Sequence, residues 1–220
     1  MEAAKIENES ISIHLKDVGK RFNYTWIFRN IDLELISGEK IALLGANGSG
    51  KSTLMQCIAG YQTISEGKLT IRKNQNVIDP ATFYNEISIA APYQELIDDF
   101  TFLEMLDFHF KLKIIRNGYS VSDLINLSEL EHVKGKKLLY FSSGMRQRVK
   151  LIMAVMSDTH FLFLDEPCAN LDTKGVNWYR NLIEQHTPGR AVIVCSNHQS
   201  FEYDFCQEVF ELNHQTLHKI

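Results

Sequence analysis

Three short stretches hold the residues whose types and spacing could do chemistry. GANGSGKS (45–52) fits G-x-x-x-x-G-K-[ST] without a gap. Its glycines, Gly45, Gly48 and Gly50, let backbone N–H groups turn inward around phosphate oxygens. Ala46, Asn47 and Ser49 complete the loop, and Thr53 follows it. Lys51 would carry charge to the β- and γ-phosphates of a nucleotide, and Ser52 would offer a hydroxyl ligand to Mg²⁺. FLFLDEP (161–167) is an apolar run that ends in two acids. Asp165 is placed to hold Mg²⁺ through water, and Glu166 to orient or activate a water against a γ-phosphate. FSSGMRQR (141–148) puts Ser and Gly ahead of a basic, amide-bearing helix face. Nothing in its own neighbourhood explains it. It reads either as a plain Ser-capped helix or as half of a phosphate site completed elsewhere.

The elements that must position these residues are legible in the hydrophobic pattern. ISIHLK (11–16) alternates as a strand, and IDLEL (31–35) is a second candidate. KIALLG (40–45) is a continuous apolar run, which suits a strand buried on both faces of a parallel sheet. STLMQCIAG (52–60) reads as a helix that stops at glycine, so the phosphate loop lies between strand and helix. GKLTIRK (67–73), ISIAA (87–91), FLFLDEP and AVIVCSN (191–197) read as further strands. Between residues 95 and 140 the period changes to helical, in FLEMLDFHFKLKII and VSDLINLSELEHV. RQRVKLIMAVMS and VNWYRNLIEQH predict two more helices, and VFELNHQTLHKI a closing hairpin. Strands alternating with helices give an α/β fold with a mostly parallel sheet.

Composition narrows the classes. The chain has 220 residues, is 45% hydrophobic and carries a net charge of −4. That supports a sizeable core and gives no reason to expect a nucleic-acid partner. No apolar stretch approaches the about 20 residues that span a bilayer, and the N-terminus lacks a signal-peptide pattern. Cys57, Cys168, Cys195 and Cys206 show no CxxC spacing and read as reduced packing residues. His214 and His218 are four apart but fall in the predicted hairpin.

Taken in order, GANGSGKST, FSSGMRQR and FLFLDEP resemble the nucleotide-binding domain of an ABC-type ATPase over nearly all of the chain. The resemblance implies a P-loop NTPase core with an antiparallel β subdomain and a helical subdomain at about 95–140, all within one ATP-binding domain, 1–220. It implies ATP and Mg²⁺ as ligands, with Ser52, Gln94 and Asp165 around the metal and Glu166 and His198 catalytic. Gln94 in APYQELI matches the Q-loop, Asp172 in ANLD the D-loop, and His198 in CSNHQS the switch histidine. Phe22 matches the aromatic that stacks on adenine, with Tyr24 and Trp26 as rivals. Each also has a local reading: Gln94 as a surface residue, Asp172 as a helix cap, His198 as a strand-end histidine, and Phe22 as sheet packing.

The family's signature, usually LSGGQ, stands here as Phe141, Ser142, Ser143, Gly144 and Met145. In the family it closes over ATP held by a second subunit. The implied partners are therefore a second ATPase domain, as a head-to-tail homodimer or heterodimer, and separate integral membrane permease subunits. The implied place is the cytoplasmic face of the membrane. Ser143 for Gly and Met145 for Gln are departures within the motif. A soluble ATPase of an assembly machine, for example for iron–sulfur clusters, is the other reading.

Overall fold

The computed structural model describes residues 10–74 and 76–220. Its larger sheet has the order β10-β9-β3-β8-β7-β6. Here β3 is Lys40–Leu44, β6 Ile87–Ala90, β7 Phe161–Asp165, β8 Ala191–Ser196, β9 Glu208–Asn213 and β10 Thr216–Lys219. All neighbours are parallel except the hairpin of β9 and β10. A smaller antiparallel sheet joins β1 (Ile11–Phe22), β2 (Thr25–Ile36), β4 (Glu66–Lys73) and β5 (Asn76–Val77) in the order β2-β1-β4-β5.

The central strands read as unbroken apolar runs because each is covered on both faces. Phe161 and Phe163 of β7 and Ile193 of β8 join the core that includes the small sheet and α1 (Lys51–Ile58). Their alternates Leu162, Leu164, Val192 and Val194 join a second core. That core is built with α2 (Phe102–Leu112), α3 (Val121–Leu127), α4 (Ser143–Met156) and α5 (Thr173–His186). The period of two sends successive side chains to opposite faces, so one strand feeds both cores.

Several expectations change in extent. The strand expected at 11–16 runs on to Phe22, through register irregularities near Val18 and Lys20 that break the alternation. IDLEL is only the second half of β2. Phe22, Tyr24, Trp26 and Phe28 do not share a strand. Phe22 ends β1, Tyr24 lies in the turn and is 97% exposed, and Phe28 of β2 is fully buried. In VSDLINLSELEHV the α-helix ends at Leu127, Glu129 takes a positive φ of 59° that ends its course, and Glu131–Val133 forms a separate 3₁₀ turn. FLEMLDFHFKLKII stops at Leu112, and Ile115 instead bridges to Ser157.

Candidate nucleotide site

Strand register brings the functional stretches to one edge. Leu44 pairs with Ser196, and Asp165 pairs with Cys195. The phosphate loop, the acidic pair and the segment after β8 therefore all leave the sheet at the same C-terminal level. In an open parallel sheet that edge is where ligands bind.

The loop after β3 fits a chain of phosphates. The helices α2, α3, α4 and α5 each begin with a side-chain cap, from Thr101, Ser120, Ser142 and Asp172. Helix α1 starts at Gly50, in a left-handed conformation at φ 105°, with no side-chain cap. Its first N–H groups are left for an anion. Ser49 Oγ is buried without a hydrogen-bond partner. A Cβ on Gly45 would lie 2.7 Å from both Ser49 Oγ and the Leu212 carbonyl oxygen, so the close approach needs glycine. Lys51 is buried, and its ammonium donates to the carbonyls of Gly45 at 2.7 Å and Ala46 at 3.1 Å. Side chain and loop thus hold each other in shape.

A cavity of about 230 Å³ opens on this loop, walled by Asn47, Gly48, Gly50, Lys51, Ser52 and Thr53, with Ile27 and Glu166 opposite. Asp165, the residue before Glu166, is 2% exposed and pairs with the Ser52 hydroxyl. Burial pushes its carboxyl above the usual range and the charge of Glu166 adds to that, while a hydrogen bond from the Ser52 hydroxyl and the charge of Lys51 act the other way. A hydroxyl and a carboxylate side by side are hard oxygen donors of the kind Mg²⁺ takes. A second cavity of about 260 Å³ shares Asn47 and Glu166 and continues past Cys168, Asn197 and Glu202. Glu166 stands between the two spaces, with φ 46° and its N–H bonded to the Cys195 carbonyl at 2.9 Å.

The remaining predicted residues line neither cavity. Gln94 turns its side-chain oxygen back onto the Ala91 N–H at 3.1 Å. The His198 Nε2 lies 3.6 Å from Glu211. Phe22 is half exposed, with the Lys20 ammonium 4.7 Å from its ring centre. Trp26 has the Arg29 guanidinium 4.2 Å from its ring centre. Asp172 caps α5 by accepting from Gly175 N–H at 2.8 Å.

The signature forms the start of α4. The Ser142 hydroxyl accepts from Met145 N–H at 3.2 Å as the cap, and its own proton stays available. Ser143 is the first helical residue and has no positive φ, so replacing glycine there brings no backbone strain. Met145 packs against the second core. A Cβ on Gly144 would lie 2.8 Å from the Asn170 carbonyl oxygen. Signature and D-loop therefore touch within one chain, a contact that no spacing in the sequence signals. Ile27 and Glu202 were also missed, because each reaches the site through the tertiary fold from a stretch with no motif of its own, and Asn197 was passed over beside His198 in CSNHQS.

These features define an ATP-binding cassette, and the comparisons agree. The sequence profile of the family described as ABC transporter matches residues 28–169. The chain belongs to that family, and within it to the ATP-binding subunits. It is 29% identical over 209 residues to YybJ of Bacillus subtilis, named as an uncharacterized ABC transporter ATP-binding protein, covering 93% of this chain and 94% of that one. It is 33% identical over 166 residues to the maltose/maltodextrin import ATP-binding protein MalK of Vibrio cholerae. That match covers 73% of this chain, which spans only 44% of the MalK length. Two solved structures share the fold. One is an ATP-binding subunit of an ABC transporter, with TM-score 0.79 and 21% identity over 93% of this chain and 87% of that chain. The other is a bacterial ABC transporter cassette described as dimeric, with TM-score 0.78 and 23% identity over 93% and 96%.

Proposed function

We propose that this chain hydrolyses ATP as the motor subunit of an ABC transporter and drives a substrate across a membrane by closing against a second ATPase domain. The observation that carries this reading is the uncapped, glycine-bent start of α1 facing Glu166 across one cavity. The whole chain, 1–220, would act as one ATP-binding domain, with its helical part at about 95–140. The backbone of residues 45–52 and the Lys51 ammonium would bind the phosphates, and Thr53 would border them. Phe22 would stack on the adenine ring. Mg²⁺, where bound by Ser52, Asp165 and Gln94, would neutralise phosphate charge. Glu166 would accept a proton from the attacking water, and His198 would donate to the γ-phosphate.

In that reading Ser142, Ser143, Gly144 and Met145 of one copy cover the ATP of the other, and Asp172 lies at the contact. ATP favours closure because both halves contact it only when closed. Loss of the γ-phosphate removes that differential binding and the pair opens. Among the described residues no helix is long and apolar enough to cross a membrane, so the path for substrate would come from separate permease subunits at the cytoplasmic face. The transporter names of the relatives support this reading over that of an assembly machine.

Co-purification tests it. The tagged chain, at native level and from gently solubilised membranes, is expected to bring a stoichiometric polytopic membrane protein. A soluble partner alone, with the chain absent from membranes, would overturn the transporter reading.

A further inference from the structure

We propose that Glu202 is a positioning residue for hydrolysis, whose carboxylate ties the segment after Glu166 to the segment that carries His198. The inference rests on the reading above, in which Glu166 and His198 act at the γ-phosphate. Glu202 sits in a short 3₁₀ turn, Ser200–Glu202, and is 3% exposed. One carboxylate oxygen accepts from Cys168 N–H at 3.0 Å. The other accepts from the Ser196 hydroxyl at 2.5 Å, and Ser196 Oγ in turn accepts from Gln199 N–H at 3.1 Å. Cys168 lies two residues past Glu166, and His198 lies between Ser196 and Gln199. The Tyr179 hydroxyl fixes the Glu202 carbonyl at 2.8 Å, so the bridge is anchored to α5.

The bridge answers a specific need. Glu166 and His198 both hold left-handed backbone, at φ 46° and φ 56°. Non-glycine residues keep such conformations only where their surroundings over-determine them. Glu202 joins the two strained segments, and it does so across the cavity that Glu166 shares with Asn197. Its chemistry is also matched. With a carboxylate at this position both oxygens are used, one by Cys168 N–H and one by the Ser196 hydroxyl, whereas an amide would keep one acceptor and put an NH₂ donor in place of the other. Burial pushes the Glu202 carboxyl upward, the hydrogen bonds from the Ser196 hydroxyl and Cys168 N–H act the other way, and the charges of Glu166 and Asp165 add to the rise.

The test measures single-turnover ATP hydrolysis and, separately, the ATP dissociation constant for Glu202→Ala, Glu202→Gln and Glu166→Gln. Glu202→Ala is expected to slow hydrolysis by about 10- to 100-fold, the cost of a small misplacement of reacting groups, with ATP affinity within about twofold of wild type. Glu202→Gln keeps one acceptor and is expected to recover part of the rate. Ser196→Ala removes one arm of the bridge and serves if Glu202→Ala does not fold; a smaller loss of rate at unchanged affinity is expected. Rate within twofold of wild type in Glu202→Ala, or in Ser196→Ala when that variant stands in, with Glu166→Gln inactive, would overturn this inference alone. Parallel loss of rate and affinity would also overturn it, as general loosening. Hydrolysis by Glu166→Gln at the wild-type rate, or none by wild type, would remove the underlying reading and this inference with it.

Discussion

The side-chain amide of Gln147 donates to the Pro167 carbonyl at 2.8 Å, tying the second turn of α4 to the residue just past Glu166. Gln147 is 4% exposed, so the bond is shielded from water. Gln147→Leu keeps much of the volume and leaves a buried carbonyl without a partner, which costs about 1–3 kcal/mol. Urea unfolding is expected to show that loss.

Gly144 is pressed against Asn170. Alanine would raise helix propensity, but its Cβ would meet a backbone oxygen at 2.8 Å that has to move. Gly144→Ala is therefore expected to destabilise by about 1–3 kcal/mol, as overpacking does. A gain in denaturation midpoint would show that the D-loop gives way freely.

The two readings of Ser142 separate by substitution. In the Glu166→Gln background, saturating ATP is expected to double the mass seen by light scattering. Ser142→Asp keeps a strong helix cap but places negative charge where the partner's γ-phosphate would lie. Thermal stability is expected to hold while the ATP-dependent dimer is lost. A dimer that survives would make Ser142 a cap and nothing more.

Removing metal should separate binding from chemistry. With EDTA, a fluorescent ATP analogue is expected to bind to the phosphate loop while phosphate release stops. Asp165→Asn is expected to lower hydrolysis at least about tenfold at millimolar Mg²⁺, since it weakens the oxygen set beside Ser52. Equal turnover with and without EDTA would remove Mg²⁺ from the mechanism.

His109 makes stability depend on pH. Burial, with the nearby Lys113 charge, lowers its pKa from 6.5 to about 4. Its Nε2 lies 3.0 Å from the Ser157 hydroxyl. The unfolded chain binds a proton at higher pH than the folded one, so stability contributed by the neutral ring is complete above about pH 6.5. It is lost as pH falls toward about 4 and flattens below, by roughly 2–3 kcal/mol. Urea midpoints across that range are expected to fall for wild type and to fall less for His109→Gln.

Much of the candidate phosphate site was legible because its chemistry is local. Residues 45–52 need one turn of backbone between a strand and a helix, and the types that permit it are contiguous. Buried strands were legible for a similar reason, since burial on two faces removes polar residues from the run. The β1–β2 hairpin was harder to read, because irregular register disturbs the period and a turn at Tyr24 mimics alternation.

What the sequence by itself determined is the set of parts: a phosphate loop, an acidic strand end, a capped signature helix and the family they compose. Only the tertiary structure decided which parts meet. The level of Asp165 beside Cys195, the contact of Gly144 with Asn170, and the reach of Glu202 to Cys168 each join residues far apart in the chain. Such contacts leave no period or spacing behind, because strand order and side-chain packing set them.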